Sequence, residues 1–181
     1  MRAFLHPLEI FLIACATLAA PLDAQGYPRS QRGSVSQHVA YTEIAVTYGR
    51  PTARGRALWG QLVPWDTVWH PGADSATRLT VDHDVVMEGH ELKAGEYTLW
   101  LIPREHGTWT VILNRVAHTY HNRYPGAAQD ALRFEATPDS LSFVETLTID
   151  FPTVDGAETL VRIQWGAIGV PIHIMALYLP R

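Results

Sequence analysis

The chain has 181 residues, of which 47% are hydrophobic and 18% charged, with a net charge of −4 and one cysteine. That length suits one domain with a sizeable core and is too short for two. A mildly acidic balance without a basic run excludes nucleic acid and an anionic membrane surface as expected partners, and a lone cysteine excludes an internal disulfide framework.

Residues 1–24 read as a secretory signal peptide. Arg2 gives a positive start, Ile10 to Ala20 (IFLIACATLAA) is an apolar run of signal length, and Leu22-Asp23-Ala24 offers a small residue for cleavage before Gln25. The run is too short to cross a bilayer as a stable helix, so no transmembrane segment is expected after its removal. A competing reading takes Leu12-Ile13-Ala14-Cys15 as a lipobox, with Cys15 lipidated as the anchor, although His6, Pro7 and Glu9 interrupt the apolar region it needs. Either way the product is exported, periplasmic or extracellular, and without disulfides it relies on its core. Taking 24 residues from 181 leaves 157, and losing Arg2, Glu9 and Asp23 leaves thirteen basic and sixteen acidic residues, a net of −3.

Residues 25–37 (QGYPRSQRGSVSQ) are polar and bear glycine and proline, which predicts an extended N-terminal arm ahead of a single domain over 38–181. Strand-like alternation begins in His38 to Tyr48, where the apolar phase slips near Thr42-Glu43, so a bulge or a break is expected there. Thr77, Leu79 and Val81 form a half-exposed strand ending at Asp82-His83-Asp84, followed by short pieces at Val85 to Met87 and Glu91-Leu92. Lys93-Ala94-Gly95 turns the chain into Glu96 to Pro103, apolar on both parities and therefore a central strand covered on both faces. After a loop at Arg104 to Gly107, Trp109, Val111 and Leu113 line the returning, antiparallel strand. Beyond an irregular segment, with a helical turn expected at Ala127 to Ala131, strands are predicted at Ala131 to Ala136, Leu141 to Phe151, Thr159 to Trp165 and Val170 to Leu179. No window carries a long helical stripe. The pattern is that of an all-β protein, an antiparallel β-sandwich with two long irregular loops.

The first of those loops concentrates the unusual chemistry. Thr47 to Asp74 holds Arg50, Arg54, Arg56, Trp59, Trp65, Trp69 and His70, with three prolines and four glycines. The arginines are not distinctive by type, because thirteen of the fourteen basic residues are arginine and Lys93 is the only lysine, a uniform bias that reflects codon usage as readily as recognition. Trp59 and Trp65, flanked by apolar or turn residues, read as scaffold. Trp69-His70-Pro71-Gly72 is least readily assigned to packing, since proline and glycine fix an irregular backbone there. The second loop, Arg115 to Asp130, is rich in aromatics and histidines.

Chemical motifs are sparse. No Gly-x-Ser-x-Gly elbow, phosphate-binding loop or dinucleotide fingerprint is present. Of the eight histidines after His6, His70, His118 and His121 together with Asp74 form a set that would suit zinc or another divalent ion, but neither HExxH nor a compact HxH pair accompanies them, so neither metal nor another cofactor is expected. Glu145 lies in phase with Leu141, Phe143, Leu147 and Ile149. A regular strand would bury its carboxylate, as a raised-pKa acid or an ion pair with an arginine such as Arg133, whereas a bulge would turn it outward.

Tyr48-Gly49-Arg50-Pro51, Arg54-Gly55-Arg56, Trp59-Gly60, Leu62-Val63-Pro64, Trp69-x-x-Gly72-Ala73, Lys93-Ala94-Gly95-x-Tyr97-Thr98-Leu99, Ile102-Pro103, Trp109 to Asn114 and Asp130-x-x-Arg133 occur in that order. Together they resemble the bacterial domain of unknown function DUF2911, over roughly residues 36 to 174. The resemblance implies an exported protein and brings no established activity. The sequence departs from the family pattern at His70 and Asp74, where arginine and asparagine are usual, and at His118-Thr119-Tyr120-His121, where the pattern has Trp-Gly-x-Tyr.

Three functional readings follow. The first is a non-catalytic binding or structural module of the cell envelope or extracellular space, taking a polar small molecule, sugar or peptide on a surface drawn from Arg50, Arg54, Trp69, His70, Asp74, Tyr120, Asp130 and Arg133. The second is self-association into filaments, with the N-terminal arm donated to a neighbour's sheet edge. The third is a metal-assisted hydrolase built on His70, Asp74, His118 and His121.

Overall fold

The computed structural model describes residues 28–177. The expected signal peptide, Cys15 and the first residues of the expected arm lie outside the described residues. Among the described residues ten strands occur in chain order: β1 (Gln31–Val39), β2 (Thr42–Arg50), β3 (Arg78–Val81), β4 (Val85–Met87), β5 (His90–Leu92), β6 (Gly95–Ile102), β7 (Trp109–Asn114), β8 (Asp130–Ala136), β9 (Asp139–Asp155) and β10 (Glu158–Ala176). A 3₁₀ turn at Ala127–Gln129 stands where the helical turn is predicted. Two antiparallel sheets, ordered β1-β2-β3-β6-β7-β8 and β5-β4-β10-β9, form an all-β sandwich. Among the described residues no helix is long and apolar enough to cross a membrane.

The core forms where the inward parities of the two sheets meet. Ile44, Val46 and Tyr48 of β2 and Leu99 and Leu101 of β6 pack with Leu147 and Ile149 of β9 and Ile163, Ile172 and Ile174 of β10. Burying a large aliphatic side chain contributes about 1.5–3 kcal/mol, so these positions dominate the stability of a disulfide-free domain. The phase slip at Thr42-Glu43 is a hairpin break: Val39 pairs with Thr42 across the two-residue turn Ala40-Tyr41, with Ala40 at φ 51°.

Two sequence expectations are corrected. Residues 31–37, predicted to belong to an extended arm ahead of the domain, are most of β1, hydrogen-bonded to β2 from Gln31↔Arg50 to Val39↔Thr42. Their polar alternation suits an edge strand with only its inward residues covered, as at Val35 and Val39. A strand donated to a neighbour would first have to leave this ladder. Within the described residues the strands predicted at 159–165 and 170–179 are one long strand, β10, which ends at Ala176 and whose pairing with β9 shifts around Gly166 at φ 59°, while Tyr178 and Leu179 lie outside the described residues. The glycine lets the chain turn without stopping, so a turn signal in the sequence marks a bulge.

That irregularity also decides Glu145. Register shifts either side of the Gly166↔Val144 pair release the strict alternation of β9, and Glu145 is exposed rather than buried. Its carboxylate Oε1 accepts from the Arg54 backbone N–H at 2.5 Å, while Arg133 bonds Asp130 instead.

β6 is covered on both faces, as its composition predicts. Leu99 and Leu101 enter the main core, and Trp100 faces the other way into a second cluster with Ile112 and Ala76, against which Val68 and Tyr124 pack. Val68 and Tyr124 belong to the two long loops, 51–77 and 115–129. The outer face of the larger sheet therefore holds part of each loop in place.

Candidate functional site

The first loop begins by stitching the sheets together. Ala53 N–H donates to Glu145 O at 2.8 Å and Leu147 N–H to Pro51 O at 2.9 Å, which docks residues 51–53 on β9. It later runs along β6: Trp69 and Leu101 exchange backbone hydrogen bonds at 2.8 and 2.7 Å, and Leu99 N–H reaches Thr77 O at 2.9 Å. Residues 70–76 are thus an excursion out of a ladder pinned at both ends. The excursion is tight because Thr77 Oγ1 donates to Pro71 O at 2.7 Å and Gly72 N–H to His70 O at 2.8 Å.

Two glycines make this packing possible. A Cβ on Gly49 would lie 2.3 Å from the Ala73 carbonyl oxygen, and one on Gly72 would lie 2.6 Å from Thr77 Oγ1 and 2.9 Å from His70 Nε2. Both are approaches that no side chain tolerates without movement of the backbone or of His70.

The second loop meets the excursion edge to edge. Ala76 N–H donates to Thr119 O at 3.0 Å, His121 N–H to Asp74 O at 2.9 Å, and Ser75 bridges Tyr120. The His70 and His121 rings stack with centroids 5.6 Å apart and planes at 19°. His70 is buried, only 3% exposed, and Nε2 has no hydrogen-bond partner. Burial, reinforced by the neighbouring His121 and opposed by the Ser75 backbone, lowers its pKa to about 3. The imidazole is therefore neutral at physiological pH.

Between the loops and β10 lies a cavity of about 520 Å³. Trp69 and Trp165 give it an apolar wall, stacked on each other at 6.2 Å and 13°. Arg29, Arg54 and Arg56 line it, as do His70, Asp74, His121 and Asn122. Arg54 Nη2 donates to Arg29 O at 3.1 Å, and Arg56 donates to Ala53 O and Thr52 O at 2.8 and 2.7 Å, so both guanidinium groups are anchored by backbone. Beside the cavity, Trp59 stacks on Trp65 at 6.2 Å and meets Trp109 edge-on at 4.9 Å, closing that end of the sandwich.

The residues singled out from sequence thus separate. Arg54, Trp69, His70 and Asp74 line the cavity together. Tyr120 and His118 lie on an adjoining groove with Arg32 and Arg78, where His118 Nδ1 is 3.2 Å from Arg78 Nη1. Arg50 reaches the other sheet, donating to Leu147 O at 3.4 Å. Asp130 and Arg133 are 2.9 Å apart in a structural network. The Asp130 carboxylate accepts from Tyr124 Oη at 2.7 Å and Asn114 Nδ2 at 2.9 Å, and Arg133 Nη2 also donates to Tyr124 Oη at 3.0 Å.

His118 therefore stands apart from the other three members of the metal set. Among the described residues no group of three or more His, Cys, Asp and Glu side chains is arranged to hold a metal ion. Sequence reasoning missed Arg29, Asn122 and Trp165 as cavity residues. Arg29 and Asn122 carry no motif, and Trp165 reads as an ordinary strand residue until its place opposite Trp69 is known.

Against known proteins, the model of the family described as "Protein of unknown function (DUF2911)" matches residues 30–174. No curated protein and no solved structure matches the chain.

Proposed function

The chain belongs to the DUF2911 family, whose description assigns no activity, and from the site itself we propose that it is a non-catalytic binding module taking a small polar organic ligand in the cavity between its two long loops. The observation that supports this most is the convergence: a cavity of about 520 Å³, within the range of ~300–1,000 Å³ typical of small-molecule sites, with an aromatic wall and several converging polar groups. Trp69 and Trp165 supply contact area, and Arg54, Arg56 and Asn122 fix orientation. The two glycine contacts and the backbone-anchored guanidinium groups favour binding by a largely pre-formed site.

The reading includes export, because the segment from Arg2 to Ala24 has the form of a signal peptide. The ligand is then one met outside the cytoplasm. The experiment is to map, on nitrogen-labelled protein, which residues respond to polar organic compounds, sugars and short peptides. Responses gathered on the cavity support the reading, and their absence there removes it.

A further inference from the structure

We propose, resting on the cavity as the binding site, that its ligand is an organic carboxylate carried on a flat apolar body. The charges facing the cavity are unequal: Arg29, Arg54 and Arg56 stand against the single carboxylate of Asp74. Elsewhere four of the described arginines are ion-paired, while Arg32, Arg50, Arg115 and Arg123 are not. Arg78, Arg104, Arg133 and Arg162 each have a carboxylate within 4 Å, at 3.8, 3.4, 2.9 and 2.6 Å respectively. Among the described residues no such ion pair involves Arg29, Arg54 or Arg56.

These cations are also held for use. A guanidinium has five N–H donors in a fixed fork. The backbone acceptors named above occupy one donor of Arg54 and two of Arg56. Both residues line the cavity, and the backbone bonds reduce the side-chain entropy left to lose when an acceptor arrives. A planar carboxylate matches that fork with two parallel charge-assisted hydrogen bonds.

The other lining groups fit the same ligand. Burial keeps His70 neutral, so that it neither adds to nor cancels the positive field. Trp69, half-buried and backed by the buried Trp165, offers a surface suited to a ring or a conjugated plane. Asp74 also lines the cavity and can accept from a hydroxyl or amine on the same molecule. A cationic ligand would meet three guanidinium groups, and a neutral sugar would leave them without a counter-charge.

The test uses benzoate, its neutral isostere benzamide, and benzylamine, with saturation-transfer NMR and tryptophan fluorescence as readouts. Wild-type protein is compared with the double variant Arg54→Gln/Arg56→Gln and with Arg104→Gln, an arginine outside the cavity, all checked for fold by circular dichroism. Benzoate should bind at least about tenfold more tightly than benzamide, and the double variant should lose that preference while Arg104→Gln keeps it. In wild type alone, raising salt to about 0.5 M should weaken benzoate and leave benzamide unchanged. Equal binding of benzoate and benzamide, or a benzoate affinity indifferent to salt, overturns the carboxylate assignment while leaving the cavity as the site. Failure of benzoate to bind overturns the assignment, and probe binding unaffected by Trp69→Ala overturns the assignment and the cavity reading together.

Discussion

His70 stacks on His121 across the seam between two loops that are some fifty residues apart in the chain, with ring centroids 5.6 Å apart. The contact joins the excursion 70–76 to the segment 117–123 and sets one wall of the cavity. It also places an imidazole where a proton is unwelcome, and this has a consequence for stability.

The folded pKa of His70 is about 3, against an ordinary value of 6.5. The unfolded chain therefore binds more protons between these two values. The contribution of His70 is fully present above about pH 6.5, is lost progressively as pH falls, and is gone below about pH 3. Urea unfolding from about pH 6.5 to about pH 5 should show a loss on the order of 2 kcal/mol that His70→Gln lacks. Parallel pH profiles for the two proteins would show that His70 does not titrate as its burial requires.

Gly49 carries no function of its own but sets the distance between β2 and the excursion. Gly49→Ala forces a Cβ against the Ala73 carbonyl, where the free approach is only 2.3 Å. A loss of about 2 kcal/mol or more is expected in chemical denaturation, together with weakened cavity binding, because the strand or the loop must move. Gly55→Ala is the control: its Cβ meets nothing within 4 Å, and at φ 69° it tests backbone strain alone. Equal losses at both positions would assign the effect to backbone conformation and not to the packed contact.

Asp130 was a ligand candidate by sequence, yet it is saturated by protein donors. Its side chain is 9% exposed and accepts from Tyr124, Asn114 and Arg133. Burial, and then the hydrogen bond to Asp130, push the Tyr124 hydroxyl above its ordinary pKa. Asp130→Ala should destabilise the domain by about 2–4 kcal/mol, since buried Asn114 and the Arg133 charge lose their acceptor. Ligand affinity in the fraction that stays folded should be unchanged. A stable variant with lost binding would instead make Asp130 a contact residue.

The strands were the most legible part of the chain because their signals are local. Alternation at Thr77 to Val81, the Lys93-Ala94-Gly95 turn and the apolar run through β6 each mark a feature within a few residues. Gly33 and Ser34 misled because edge strands and free arms share a polar composition. Gly166 misled because a bulge and a turn share a residue. The cavity was half legible: the Trp69-His70-Pro71-Gly72 irregularity pointed to it, but its opposite walls come from β10 and from residues 121 and 122. No periodicity relates Trp165 to Trp69, and only the sheet register brings them together. Likewise Asp130 and Arg133 formed a conspicuous pair in sequence, and only the fold brings Tyr124 and Asn114 into hydrogen bonds with it.

The most direct measurement of the central claim is a benzoate titration of nitrogen-labelled protein, followed at the backbone amides and at the side-chain N–H groups of tryptophan and arginine. Saturable shifts are predicted at Arg54 and Arg56, at the Trp69 and Trp165 indoles, and at Asp74 and Asn122, with Tyr120, Arg78 and Asp130 unmoved. Saturable shifts confined to the Arg78–Tyr120 groove, or no saturable shift at the cavity, would contradict it.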